Sequence, residues 1–378
     1  MAGTRVDPDG GESRREQPAS GGLPARRPRS GAAVAITATV IVCGVITAAV
    51  ALMRLQVPTP RHSLPLTTTV VSPRVPPAAR LIATIPVQSN LMAAHGGRLY
   101  ALGIDAKRAT FVRVDPAGTV TRRSAPESLA PYASVVGVQG GSIYAGTDVV
   151  AKFTGVRNEL VRVNASSLAP GGRTLLPAGV VAIASNAHGI WLALTDDRLL
   201  RLDPASLAVR ASYLVPGAIP APFGSSGFGS LTLGPGGLWA TFGSARHTTV
   251  DRFDPATLSL LDAIRVPEAG QGIRVAASPE SLWLVGPGFV RPLEPSGALL
   301  PSVPAPGLQG VAVSGTDVLV LRSSGAASET LDVLDANGRV LGRSDVGDAG
   351  SRIVLSGGDV WLERGLRIAS WRLTASGR

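Results

Sequence analysis

Seven times along this chain a large apolar residue and a second, nearly always small one recur at a fixed distance ahead of an anchor position that is aromatic in six copies. The aromatic anchors are Tyr100, Tyr144, Trp191, Trp239, Trp283 and Trp361, and Leu319 fills the remaining place. Seven residues ahead of them stand Ala93, Gly137, Ala184, Thr232, Ala276, Ala312 and Val354. Eight ahead stand Met92, Val136, Ile183, Leu231, Val275, Val311 and Ile353, all large and apolar. Alternation with period two marks a strand, because successive side chains of extended chain point to opposite faces. Between this strand and the anchor lie turn residues, written Gly96-Gly97, Gly140-Gly141, Gly236-Gly237 or Gly357-Gly358.

A third strand follows and ends in an acid and a proline: Arg113-Val114-Asp115-Pro116, Arg201-Leu202-Asp203-Pro204 and Arg252-Phe253-Asp254-Pro255. Weaker copies are Arg162-Val163-Asn164, Glu294-Pro295 and Leu334-Asp335, and a fourth strand such as Leu260 to Val266 completes the unit. Four short strands repeated roughly every 43 residues predict an all-β fold, a seven-bladed β-propeller over 81–378. The seventh copy stops one strand short at Trp371-Arg372-Leu373, while an unpaired strand, Leu81 to Val87, precedes the first. The N-terminal strand is therefore expected to close the last blade and leave no exposed sheet edge.

Upstream of the repeats the pattern changes. Residues 1–30 are polar and lack apolar periodicity, which reads as a disordered cytoplasmic tail. Residues 31–53 carry no charge between Arg29 and Arg54, long enough to cross a hydrocarbon core as a single transmembrane helix. Six arginines precede this span, so the positive-inside rule orients it as a signal anchor with the propeller extracytoplasmic at the cell membrane. The triplet Ala49-Val50-Ala51 keeps a cleaved signal peptide open as an alternative. Residues 54–80 hold six prolines and read as a semi-rigid stalk.

Composition sharpens this picture. The 45 glycines and 30 prolines have no collagen period and fall where turns and stalk need them. Cys43 is the single cysteine, so neither an intramolecular disulfide nor a Cys-rich zinc site can form. Of the net +10 charge, six units belong to residues 1–80, and no basic groove interleaved with aromatics is present. Nucleic acid is excluded as a partner on that ground.

The phrase Gly237-Leu238-Trp239, followed by Arg252-Phe253-Asp254-Pro255-Ala256-Thr257-Leu258 and an Ile264-Arg265-Val266-Pro267 strand, resembles the virginiamycin B lyase-like and YVTN/NHL-type propellers. That resemblance implies the propeller fold and, for the lyases, a metal held near a histidine and acidic residues. The histidines here do not reproduce such a set. His62 falls in the stalk, His95 and His188 fall in first-to-second-strand turns, and the loop holding His247 contains no acid. No catalytic residue, metal ligand or cofactor is therefore assigned, and Asp115, Asp203 and Asp254 read as turn-capping residues.

Ligands of propellers bind at the axial mouth, where basic residues gather in this chain. Arg274 and Arg352 hold equivalent places nine residues ahead of their anchors; elsewhere that place is Leu91, Val135, Ala182, Ser230 or Gly310. The second-to-third-strand loops add Lys107, Arg108, Lys152, Arg246, His247 and Arg322. Two guanidiniums among small side chains suit a carboxylate or phosphate. The alternative is that both are solvated, or paired with Asp105 or Asp148. The longest connection, 216–229, holds Phe223 and Phe228 as a candidate lid. The expected function is a non-catalytic, membrane-anchored module binding a protein, a cell-wall polymer or an anionic ligand. The alternatives are an extracytoplasmic lyase or hydrolase and an envelope-complex assembly factor.

Overall fold

In all seven sheets the anchor sits directly opposite the small residue seven positions before it. The pairs are Ala93–Tyr100, Gly137–Tyr144, Ala184–Trp191, Thr232–Trp239, Ala276–Trp283, Ala312–Leu319 and Val354–Trp361. Directly opposed residues share a face of an antiparallel pair, so a small partner leaves room beside each ring. The register follows from the turns between these two strands. Gly96 and Gly97 have φ of 58° and 74°, the backbone of a two-residue hairpin that L-residues with side chains rarely adopt.

The structure is a computed structural model that describes residues 77–374, apart from 88, 105–107, 131, 149–156, 216–227, 244–247, 268–271, 324, 326–327, 348–349, 351 and 365. The tail and span expected over 1–53, and the stalk to residue 76, lie outside the described residues. Among the described residues no helix is long and apolar enough to cross a membrane. The architecture is seven four-stranded antiparallel sheets, six of them built from four consecutive strands. The seventh combines Ile353–Ser356, Asp359–Arg364 and Arg367–Leu373 with Ala79–Ile85 from the other end of the chain. Ala79 pairs with Leu373 and Ile85 with Ile368. The Ser344 hydroxyl of blade 6 accepts from Ala79 N and donates to Ala79 O, both at 2.9 Å. Chain closure thus occurs within a blade, and it takes in Ala79 and Arg80 from the segment read as stalk.

The core consists of seven apolar clusters, each joining one blade to the next. Tyr100 lies in the cluster shared with blade 2, Tyr144 with blade 3 and Trp191 with blade 4. Trp239, Trp283 and Leu319 continue the series, and Trp361 packs on blade 1 to complete the ring. The anchors are buried, with Trp239 and Leu319 fully enclosed. Each anchor is therefore the plug between neighbouring blades, as expected of an aromatic that removes a large apolar area from water.

Candidate functional site at the tunnel mouth

Because every sheet is antiparallel, the inner strands all begin at the same end of the ring. Arg274 opens the inner strand Arg274–Ala277 of blade 5, and Arg352 immediately precedes the inner strand Ile353–Ser356 of blade 7. Between them blade 6 offers only Gly310, and blade 4 offers Ser230. These four residues line one cavity of about 310 Å³, walled by Met92, Val275, Val311 and Ile353. The wall residues are those eight places ahead of the anchors, on the tunnel face of their strands.

The backbone carrying Arg274 is stitched to blade 4. Val275 N donates to the Ser230 hydroxyl at 2.8 Å, Ser230 meets Thr241 Oγ1 at 3.0 Å, and Thr241 donates to Ile273 O at 3.2 Å. Ile273 and Val275 on either side are buried. The chain is thereby held while the Arg274 side chain stays exposed, and among the described residues it has no acid partner. Arg352 differs. Its Nη1 lies 3.4 Å from Glu363 Oε2, on the adjacent strand of its own blade. Its partner is thus Glu363, not the Asp148 that the sequence offered; Asp105 lies outside the described residues. One matched and one unmatched guanidinium leave the cavity with a net positive charge. A carboxylate or phosphate entering it would meet an Arg274 guanidinium free to make charge-assisted hydrogen bonds.

The other basic candidates separate. Arg108 is exposed ahead of the third strand of blade 1 and does not line the cavity. Lys107, Lys152, Arg246 and His247 lie outside the described residues. Arg322 is corrected: it lies within the strand Asp317–Ser323, with its Nε 3.2 Å from the buried Asp332. A charge held by a buried carboxylate is not available at the mouth. Phe228 is corrected too. It begins the inner strand of blade 4, buried against Phe242 with ring centroids 4.1 Å apart, so it is core and not lid.

Two of the three repeated acids cap turns, whereas the Asp115 carboxylate pairs with Arg98 at 2.7 Å and Arg113 at 3.3 Å. Asp254 Oδ1 accepts from the N–H groups of Ala256 at 2.7 Å and Thr257 at 2.8 Å, and Asp203 does the same for Ala205 and Ser206. The hydrogen bond from Ser206 N–H, joined by Arg210, holds the Asp203 carboxyl far below the usual carboxylate range. The arginine two residues before the Asp or Asn of each of these turns has a role that its spacing did not reveal, reaching into the next blade. Arg162 donates to Pro204 O at 3.0 Å, Arg201 to Ala256 O at 2.9 Å and Arg252 to Pro295 O at 2.6 Å. His95 and His188 are exposed at the opposite end of the ring from the mouth. Among the described residues no group of three or more His, Cys, Asp or Glu is placed to hold a metal ion.

The architecture makes this chain a seven-bladed β-propeller with a polar opening in its central tunnel. No family model matches the chain, and no curated protein matches it in sequence. Among solved structures it is similar to BamB from Moraxella catarrhalis, with a TM-score of 0.52 and 14% identity. The match covers 78% of this chain and 100% of that one. At that identity the likeness is one of fold.

Proposed function

We propose that this protein is a membrane-anchored, extracytoplasmic binding module that recognises an anionic group at the tunnel mouth without transforming it. A helix over 31–53 would fix it in the cell membrane, and the Pro-rich segment would carry the ring outward. The anionic group would belong to a small ligand, a cell-wall polymer or a protein partner. With a protein partner, the module would act as an assembly factor in the envelope.

The observation that carries this reading is the convergence of Arg274 and Arg352, from equivalent positions of two blades, on one cavity floored by Gly310. No motif of nucleophile, base and orienting group accompanies them among the described residues. The virginiamycin lyase-like alternative would require His247 to bind metal. Metal retained by the purified chain and lost in His247→Ala would favour that alternative.

The mouth is tested by thermal unfolding of the full chain in mild detergent against acetate, succinate, phosphate and pyrophosphate. At least one anion should raise the midpoint, and Arg274→Ala/Arg352→Ala should remove that rise. An unchanged rise in the double variant would overturn the assignment. Protease digestion of intact against lysed cells tests the topology: the ring should be cleaved from outside. Crosslinking with mass spectrometry on intact membranes distinguishes a protein partner from a soluble ligand.

A further inference from the structure

The cavity at the mouth combines one unmatched charge with walls that are otherwise aliphatic. Only three of its lining residues carry polar side chains: Ser230, Arg274 and Arg352. The Ser230 hydroxyl is already engaged, accepting from Val275 N–H at 2.8 Å and meeting Thr241 Oγ1 at 3.0 Å. Arg352 is matched by Glu363. That leaves Arg274, exposed and without an acid partner among the described residues.

One residue further along the inner strands the wall turns aliphatic, since Val311 follows Gly310 and Ile353 follows Arg352. Met92 of blade 1, Val311 of blade 6 and Ile353 of blade 7 line the cavity, and each is partly exposed, unlike the enclosed plugs between blades. Val275 beside them is buried. Met92 and Val311 lie inside strands and are held by their ladders, Met92 opposite Ala101 and Val311 opposite Val320. Partly exposed apolar side chains around a cavity of about 310 Å³ are surface that a ligand can remove from water. A sugar or a polyphosphate would bring hydroxyls or further charges for which this wall has no free side-chain partner. Polar groups buried without partners are costly.

We propose that the mouth takes a short aliphatic monocarboxylate, with its carboxylate on Arg274 and its chain against Met92, Val311 and Ile353. The proposal rests on the anion reading of the mouth and narrows it to a single charge on an apolar tail. One unmatched guanidinium balances one negative charge, and a dianion would leave a surplus. Two sources present this chemistry: a free short-chain acid, and a peptide ending in an aliphatic residue.

The test is calorimetric titration of the full chain in mild detergent with acetate, butyrate, hexanoate, phosphate and N-acetyl-leucine. Affinity should rise roughly two- to fourfold per added methylene as the chain is buried, and hexanoate should bind more tightly than phosphate. Arg274→Ala should weaken hexanoate roughly tenfold as a charge-assisted contact is lost. Met92→Gln should weaken hexanoate far more than acetate, and Val311→Thr reads the same wall should Met92→Gln fail to fold. N-acetyl-leucine binding more tightly than hexanoate would assign the carboxylate to a peptide end, and the reverse order to a free acid. Affinity that stays flat along the series, or a preference for phosphate, overturns the proposal; if that binding is lost in Arg274→Ala/Arg352→Ala, the anion reading stands. Binding of no anion at all, or hexanoate bound undiminished by the double variant, overturns both.

Discussion

Trp191 donates its indole N–H to the carbonyl of Pro255, 2.8 Å away in the next blade. Its cross-strand neighbour Arg201 donates to Ala256, the following residue of the same turn. One ring and one guanidinium thus bind a blade to its successor. The apolar contact supplies most of the free energy, and the polar contacts fix which turn is met.

Trp191→Ala is expected to cost about 3–5 kcal/mol through loss of the ring and the cavity left behind. Trp191→Phe keeps a ring but strands the Pro255 carbonyl, for a loss of about 1–2 kcal/mol. Urea denaturation midpoints of the two variants should fall in that order.

Asp332 is fully buried and accepts from Arg343 at 2.6 and 2.9 Å, with Arg322 Nε at 3.2 Å. Asp332→Ala leaves the largely buried Arg322 unpaired and is expected to cost about 3–5 kcal/mol. Arg343 is half exposed, so Arg343→Ala should cost only about 1 kcal/mol. The double change Asp332→Leu/Arg322→Met should recover most of the larger loss, as equilibrium unfolding would show.

Asp251 is buried on the face of blade 4 that meets blade 3, opposite Ala240. Burial pushes its carboxyl up to about 6, with a smaller push from Asp262. The folded state therefore holds a proton that the unfolded chain releases near its ordinary value. Stability from this group is full below pH about 4 and falls as pH rises towards 6. Asp251→Asn should stabilise the ring by up to about 2–3 kcal/mol at pH 7.5 and hardly at all at pH 4. Denaturation midpoints measured across that interval check the sign.

Asp203 and Asp254 run the other way. Backbone N–H groups of Ser206 and Thr257 lead in lowering their carboxyls. Their contribution is present above pH about 4 and lost as pH falls below it. Asp203→Ala/Asp254→Ala should lower stability at neutral pH and give a shallower decline on acidification. Parallel acid-denaturation curves for variant and wild type would sink this account.

Most of the ring was legible because its packing repeats. Only a ring places a large apolar anchor, aromatic in six copies and Leu319 in the other, at seven equivalent junctions, and the mostly small residues seven places ahead of the anchors encode the strand register. The closing strand was legible for a related reason, since a final copy one strand short requires its complement elsewhere in the chain. Arg322 and Phe228 were misplaced because loop and strand ends differ by a residue or two, and burial depends on partners distant in sequence. The arginine bridges between blades were missed although each arginine was visible, since their acceptors lie about 40–55 residues away.

The sequence by itself determined the number of blades, the strand order within each, and the residue that would plug each junction, because period and side-chain size are local properties. Tertiary structure decided which charges remain available. Two arginines at equivalent positions became one paired with Glu363 and one without an acid partner among the described residues. Leu319 became the aliphatic plug of its junction, fully buried opposite Val333. Such outcomes depend on distances across the ring, which closure sets and no segment of the chain encodes alone.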